Sequence, residues 1–276
     1  MDKIRLIASD MDATLLDEQS QLPAGFEETI HALAELGIRF APASGRPLYT
    51  LEAMFPTLQD ELVFIGDNGG AIRWKGQNLF TSEMSPEGWR ALNRLTREQG
   101  DIAVLCGLES AYVERTFAVH DAVLRHFYTK IEYVDRLEDV TAPADKFTIY
   151  LPQHNAQQAY DTVYASQRSI YSVAVAGECW VDIMNPGVHK GAALQTLGQL
   201  WGLPSESIMA FGDTYNDAEM LQTVRYGFLM ENGSEPLRQK VPFLAPSHRE
   251  AGVMQVLHRV LAQNGCVCPE DFVPAH

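Results

Sequence analysis

Ser9–Asp17 reads SDMDATLLD and directly follows the apolar run Ile4-Arg5-Leu6-Ile7-Ala8. The run predicts a short buried strand, with Asp10, Asp12 and Asp17 crowded at its carboxyl end. Desolvation and mutual repulsion both oppose such a placement, so the aspartates call for a chemical reason. Residues two apart on an extended chain point the same way, which brings Asp10 and Asp12 together if the strand continues. If the chain turns after Asp10, Asp12 offers its carbonyl to the same spot instead. Either arrangement clusters hard oxygen donors of the kind that suit Mg²⁺. A solvated acidic loop, with Asp12 or Asp17 capping a helix, is the competing structural explanation.

Outward from this stretch, strands and helices alternate. PAGFEETIHALAELG carries Phe26, Ile30, Leu33 and Leu36 at helical spacing, with Gly37 at the C-cap position. IRFAPAS predicts a second strand, Pro47 can open a second helix, and LVFIGDNGG predicts a third strand and a turn. The alternation returns after residue 187 with helix HKGAALQTLGQLWG, strand SIMAFG, helix NDAEMLQTV, strand YGFLM and a last helix from about Glu250. Such a βαβα pattern predicts an α/β fold, a doubly wound, mainly parallel sheet covered by helices. The middle is different. Ser85 and Pro86 mark a helix start. Segments of strand character follow (IAVLC, AYVERT, KFTIYLP, SIYSVAVAG and CWVDIM), with the helix-like NAQQAYDTVYAS between two of them. Residues 1–84 and 187–276 are therefore expected to form one discontinuous core, and residues 85–186 an inserted, largely antiparallel α+β domain.

The chain has 276 residues and a formal charge of -15. That charge argues against a nucleic-acid partner, which needs clustered Lys and Arg. No apolar run approaches a membrane span, and Asp2, Lys3 and Arg5 interrupt the start, so a soluble, cytoplasmic protein is expected. The four cysteines, Cys106, Cys179, Cys266 and Cys268, show no zinc-site spacing and are expected to be free and reduced.

Ligands of open α/β sheets bind beyond the carboxyl ends of the strands, and other polar residues gather at those ends. Ser44-Gly45-Arg46 ends the second strand just before Pro47. A hydroxyl, free N–H groups and a helix start there can bind an anion, although taken alone they are better explained as an ordinary helix N-cap. Lys190 falls in the first turn of a predicted helix, where a cation opposes the dipole unless an anion lies between; a solvated surface charge is the plain alternative. His189 beside it is expected to be structural or exposed. In FGDTYNDAEM, Gly212 permits close backbone approach, Asp213 and Asp217 flank the strand-to-helix junction, and Asn216 adds an amide.

Taken in order, these features resemble the haloacid dehalogenase superfamily of phosphatases, in its Cof-type group. The D-x-D-x-T signature matches Asp10, Asp12 and Thr14, and the second motif matches Ser44 in ASGRP. Lys190 in HKG matches the third motif, and Asp213 and Asp217 in GDTYND the fourth. CGLESAYV and MFPTLQDELVFI look like a bacterial subgroup acting on sugar phosphates. One departure stands out: Ala13 occupies a position usually held by Gly.

The resemblance implies a small phosphate-ester substrate and Mg²⁺ bound through Asp10, the Asp12 carbonyl and Asp213, with Asp217 part of the same metal cluster. It implies Asp10 as nucleophile and Asp12 as general acid, then base. Thr14, Ser44 and Lys190 would hold phosphoryl oxygens, with Gly45 and Arg46 in the same phosphate-binding loop. Asn216 and Asp217 would orient the metal's surroundings. All the chemistry is thereby expected to lie in the core. A phosphomutase with the same nucleophile and a catalytically weak phosphoryl-binding protein are the alternatives. A receiver domain is not, since its phosphorylated Asp follows a later strand and it carries no hundred-residue insert.

Overall fold

The run that ends at Asp10 is the middle strand of a nine-stranded sheet, buried along its whole length. The computed structural model describes residues 1–276. Its first part contains β1 (Asp2–Lys3), β2 (Leu6–Asp10), β3 (Arg39–Ala43), β4 (Val63–Gly66), β5 (Ala71–Trp74) and β6 (Gln77–Thr81). The inserted part contains β7 (Ile102–Gly107), β8 (Ala111–Glu114), β9 (Ile131–Val134), β10 (Ala144–Tyr150), β11 (Ser172–Val175) and β12 (Trp180–Met184). The last part contains β13 (Ile208–Gly212), β14 (Tyr226–Met230), β15 (Phe243–Ala245), β16 (Cys266–Val267) and β17 (Val273–Pro274).

The large sheet runs β17-β15-β14-β13-β2-β3-β4-β5-β6 and is parallel from β15 to β4. Helices cover both faces, as continuous apolar strands require. The helices Phe26–Glu35 and Gly252–Ala262 bury Phe26, Ile30, Leu33, Val253 and Leu257 on one face. The helices Lys190–Trp201 and Ala218–Thr223 bury Leu194, Leu197, Met220 and Leu221 on the other. Phe211, Phe228 and Phe243, from three adjacent strands, stack with ring centroids 5.0 and 5.3 Å apart. No helix is long and apolar enough to cross a membrane.

The insert forms a separate six-stranded sheet, β11-β12-β10-β7-β8-β9, antiparallel except for β8 and β9. Odd-numbered residues such as Leu105, Phe147, Ile149 and Val181 pack with Trp89 and Leu92 from the helix Pro86–Gln99. Even-numbered ones, including Val104, Cys106, Tyr150 and Trp180, face the other way and share a cluster with Tyr49 of the core. One face of this sheet thus closes on its own helix, and the other on the core.

Several elements differ from the sequence expectation. The β5–β6 hairpin continues the core sheet antiparallel where a plain turn followed the third strand. Its two-residue turn, Lys75-Gly76, has positive φ at both positions, the type I′ geometry that suits hairpin twist. Lys at the first of these positions hides the signal. The insert also gains the helix Asp121–Phe127 and β9. The helix expected from Asn216 starts at Ala218, after a tight turn over Tyr215–Asp217.

After β2 the chain enters an irregular helical turn over Met11–Leu15, in which Ala13 is left-handed at φ 58°, ψ 12°. An L-residue pays about 1–2 kcal/mol in that region, while glycine adds about 0.5–1 kcal/mol of unfolded-chain entropy. Ala13→Gly is therefore expected to stabilise the protein by up to about 1 kcal/mol. A higher denaturant midpoint at unchanged m-value would show it, and a lower midpoint would remove the strain argument.

Candidate active site

Parallel pairing of β13, β2, β3 and β4 sets their carboxyl ends side by side. Asp10, Ser44, Asp67 and Asp213 lie at or just beyond those ends. Gly212 is required here, because a Cβ on it would lie 2.4 Å from the Asp217 Cβ. The close approach lets Asp217 fold back under the strand end. Its Oδ2 accepts the N–H groups of Asp213 (3.0 Å) and Thr214 (3.2 Å).

Lys190 is the first residue of its helix and fully buried. It donates to Asp217 Oδ1 at 2.7 Å and to Asp10 Oδ1. These carboxylates are the anions that make a cation tolerable at a helix start. His189 is the N-cap, accepting from the Ala192 N–H at 3.1 Å through Nδ1.

The carboxylate oxygens of Asp10, Asp213 and Asp217 lie within 4.8 Å of one another. Fully ionised, three carboxylates against one ammonium would leave two uncompensated negative charges in a buried space. Burial, and then the charge of Asp217, push Asp10 up to about 8 despite Lys190. The same two causes, in the same order, raise Asp213 to about 6. Burial alone would lower Lys190, but Asp10 and Asp217 more than reverse this and hold it above its ordinary value. An all-oxygen donor set whose ionised form carries a surplus of two charges fits a hard divalent cation. Both Asp217 oxygens already accept protein donors, so Asp217 is suited to holding Lys190 and the β13 end in place, and Asp10 and Asp213 to facing a cation.

The remaining sequence candidates surround this cluster. Asp12 is more than half exposed, and both its oxygens accept from Arg46 Nη2, at 2.8 and 3.1 Å. Ser44 Oγ accepts the Arg46 N–H at 3.1 Å. Thr14 Oγ1 is buried without a hydrogen-bond partner, an unusual state for a hydroxyl. Asn216 is exposed, and its Oδ1 accepts from Thr214 Oγ1 at 2.5 Å. Asp10, Asp12, Ser44, Gly45, Arg46, Asp213 and Asn216 all line one crevice of about 370 Å³. Pro47 is the N-cap of a six-residue helix, Leu48–Ala53, too short to be an anion site by itself.

Sequence reasoning missed the residues that the insert sends into the crevice: Phe127, Tyr128, Lys146, Thr148, Trp180 and Asp182. The crevice is therefore not built from the core alone. Lys146 Nζ donates to the Gly45 carbonyl at 2.6 Å and lies 2.8 Å from Asp67 and 3.6 Å from Asp182. A lysine inside the apolar strand KFTIY was the available signal. Asn68 was missed too; it lines the crevice within a turn where Asp67, Asn68 and Gly69 all have positive φ.

Residues 7–257 match the haloacid dehalogenase-like hydrolase family. The chain is 31% identical over 262 residues to the 5-amino-6-(5-phospho-D-ribitylamino)uracil phosphatase YbjI of Escherichia coli (strain K12), across 94% of this chain and 96% of that protein. It is likewise 31% identical over 249 residues to the HMP-PP phosphatase of Cronobacter sakazakii (strain ATCC BAA-894), across 87% and 89%. Among solved structures, SMU.1108c of Streptococcus mutans UA159 superposes with a TM-score of 0.82 at 28% identity, across 94% of this chain and 99% of that one. A haloacid dehalogenase-like hydrolase from Bacteroides thetaiotaomicron shares the fold, with a TM-score of 0.81 at 22% identity over 94% and 100%. The chain belongs to the haloacid dehalogenase-like hydrolases, among the phosphatases of that superfamily.

Proposed function

We propose that the protein is a Mg²⁺-dependent phosphatase of small phosphorylated metabolites, sugar and polyol phosphates foremost, working through an aspartyl-phosphate on Asp10. The observation that carries this reading is the buried cluster of Asp10, Asp213 and Asp217 around the single ammonium of Lys190. The unpartnered hydroxyl of Thr14 lies on the turn that directly follows Asp10.

Asp10 and Asp213, with the Asp12 carbonyl, are the residues that would hold the cation. When bound, it supplies charge neutralisation between the carboxylates and the phosphoryl oxygens. Asp10 forms a bond to phosphorus as the bond to the leaving alkoxide breaks, and Asp12 gives that alkoxide its proton. Asp12 then takes a proton from the water that attacks phosphorus, and the bond to Asp10 breaks to release phosphate. Thr14, Ser44 and Lys190 stabilise the charge developing on the phosphoryl oxygens. Arg46 has a second part. An incoming phosphate competes with Asp12 for its guanidinium and so frees Asp12 to carry a proton.

Two outcomes test this reading. Asp10→Asn is expected to lower kcat for an aryl phosphate by at least about a thousandfold while leaving the melting temperature unchanged or raised. Parent-like phosphate release from that variant would exclude the covalent route. Cation binding is also expected to be proton-linked, since Asp10 and Asp213 hold protons to about 8 and about 6 and must lose them to act as ligands. Mg²⁺ affinity should rise as pH climbs through that window, with protons released to the buffer. Calorimetric titration in two buffers of different ionisation heat measures this, and an affinity flat with pH would contradict the assignment.

A further inference from the structure

The Ser44-Gly45-Arg46 loop is held by its three successive carbonyls. Ser44 O accepts the Asn68 N–H and Arg46 O accepts the Asp67 N–H, both at 2.9 Å. The carbonyl between them, on Gly45, accepts from Lys146 Nζ at 2.6 Å, across 101 positions of sequence. Two ties therefore come from the turn after β4, and the middle one comes from β10 of the insert.

A trans peptide group is planar, with its C=O and N–H pointing in opposite directions. Fixing the Gly45 carbonyl thus fixes the Arg46 N–H on the far side of the same plane. That N–H donates to Ser44 Oγ at 3.1 Å, and Ser44, Gly45 and Arg46 all line the crevice that holds Asp10. A charged donor on the carbonyl also polarises the peptide and strengthens its N–H as a donor. Were this peptide to flip, a carbonyl oxygen would replace the donor and repel a phosphate.

The insert holds Lys146 firmly in this role. β10 is an interior strand of its sheet, and one extra residue at Asp145 shifts its register against β7. Such a bulge re-aims the side chains beside it. Lys146 is buried between Asp67 and Asp182. Burial alone would lower its pKa, but Asp182 and Asp67 more than reverse this and keep the group cationic. Asp67 braces both partners, the lysine through its carboxyl and the loop through its N–H.

We infer that Lys146 is a positioning residue for the phosphoryl group, setting the peptide plane through which the Ser44-Gly45-Arg46 loop grips phosphate. This rests on the phosphatase reading for the identity of the loop's ligand. It assigns phosphate binding to the insert and the core jointly, where the sequence motifs placed it in the core.

Inorganic phosphate is the probe, titrated by calorimetry into the protein in excess Mg²⁺, so that no turnover is needed. Lys146→Met is expected to weaken phosphate binding by about tenfold or more. Mg²⁺ affinity without phosphate should change less than about twofold, because Asp10 and Asp213 stand at the ends of other strands, β2 and β13. The kcat/KM values for an aryl phosphate and for glucose 6-phosphate should fall by a common factor, since the loop meets only the end these esters share. Unchanged phosphate affinity would overturn the inference. So would a loss confined to one ester, which marks a leaving-group contact, or an equal collapse of Mg²⁺ affinity, which marks general disorder. Rescue separates the charge from packing. In Lys146→Ala, propylammonium, which matches the missing chain, should recover phosphate affinity by about threefold or more, and propanol should not. Recovery by both, or by neither, counts against the inference. Should Lys146→Met fail to fold, Lys146→Gln keeps a donor without the charge and is expected to lose about threefold or more. If the parent hydrolyses neither ester, the phosphatase reading fails while the phosphate titrations still decide the part of Lys146. A parent that binds no phosphate sinks both.

Discussion

Three carboxyl groups gathered around a single ammonium among packed strand ends are the constraint around which this molecule is organised. Removing an ion from water costs several kcal/mol even after relaxation, and Lys190 answers only one of three carboxylates. The sheet forces the problem, since parallel strands deliver Asp10 and Asp213 to one edge and Gly212 lets Asp217 fold in beneath them. A chain stable with so poor a balance is arranged for cationic and anionic guests that complete it. Thr14 carries the same implication in neutral form, as a donor kept from water without a protein acceptor.

A second buried cluster has the same stoichiometry. Asp67, Asp145 and Asp182 surround Lys146 between the two sheets. Both Asp145 oxygens are buried without partners. Burial, reinforced by the charge of Asp67, holds its carboxyl well above the ordinary range and so favours the neutral form. Burial likewise raises Asp67, against the pull of Lys146. Burial favours the protonated carboxyl in both clusters, and Asp10 and Asp213 of the first also line the crevice.

The core was legible because its signals are local. Apolar runs of strand length, a Gly at a helix end and polar residues just beyond each strand can all be read within a dozen residues, and parallel pairing then gathers them. The expected cluster of Asp10 with Asp213 needed only that pairing. The insert was opaque for the opposite reason. Thr148 and Asp182 meet across an antiparallel register fixed by residues more than thirty positions apart, and neither carries a motif. Lys146 lies within the strand KFTIY and carries no motif, and its partners sit on the loops after β3 and β4. At Ala13 the chain departs from the glycine that local geometry favours, and only the backbone angle shows what the departure costs.

The bond from Lys146 to the Gly45 carbonyl makes the two halves of the protein mechanically interdependent. An insert that swung away would withdraw the ammonium and leave Asp67 and the Gly45 carbonyl without it, loosening the loop that carries Ser44 and Arg46. On the proposed phosphatase reading, opening would then weaken the hold on phosphate as an exit is created, and closing would tighten it as the leaving group is enclosed. Product release and loop relaxation would be one event, and the frequency of opening would cap turnover.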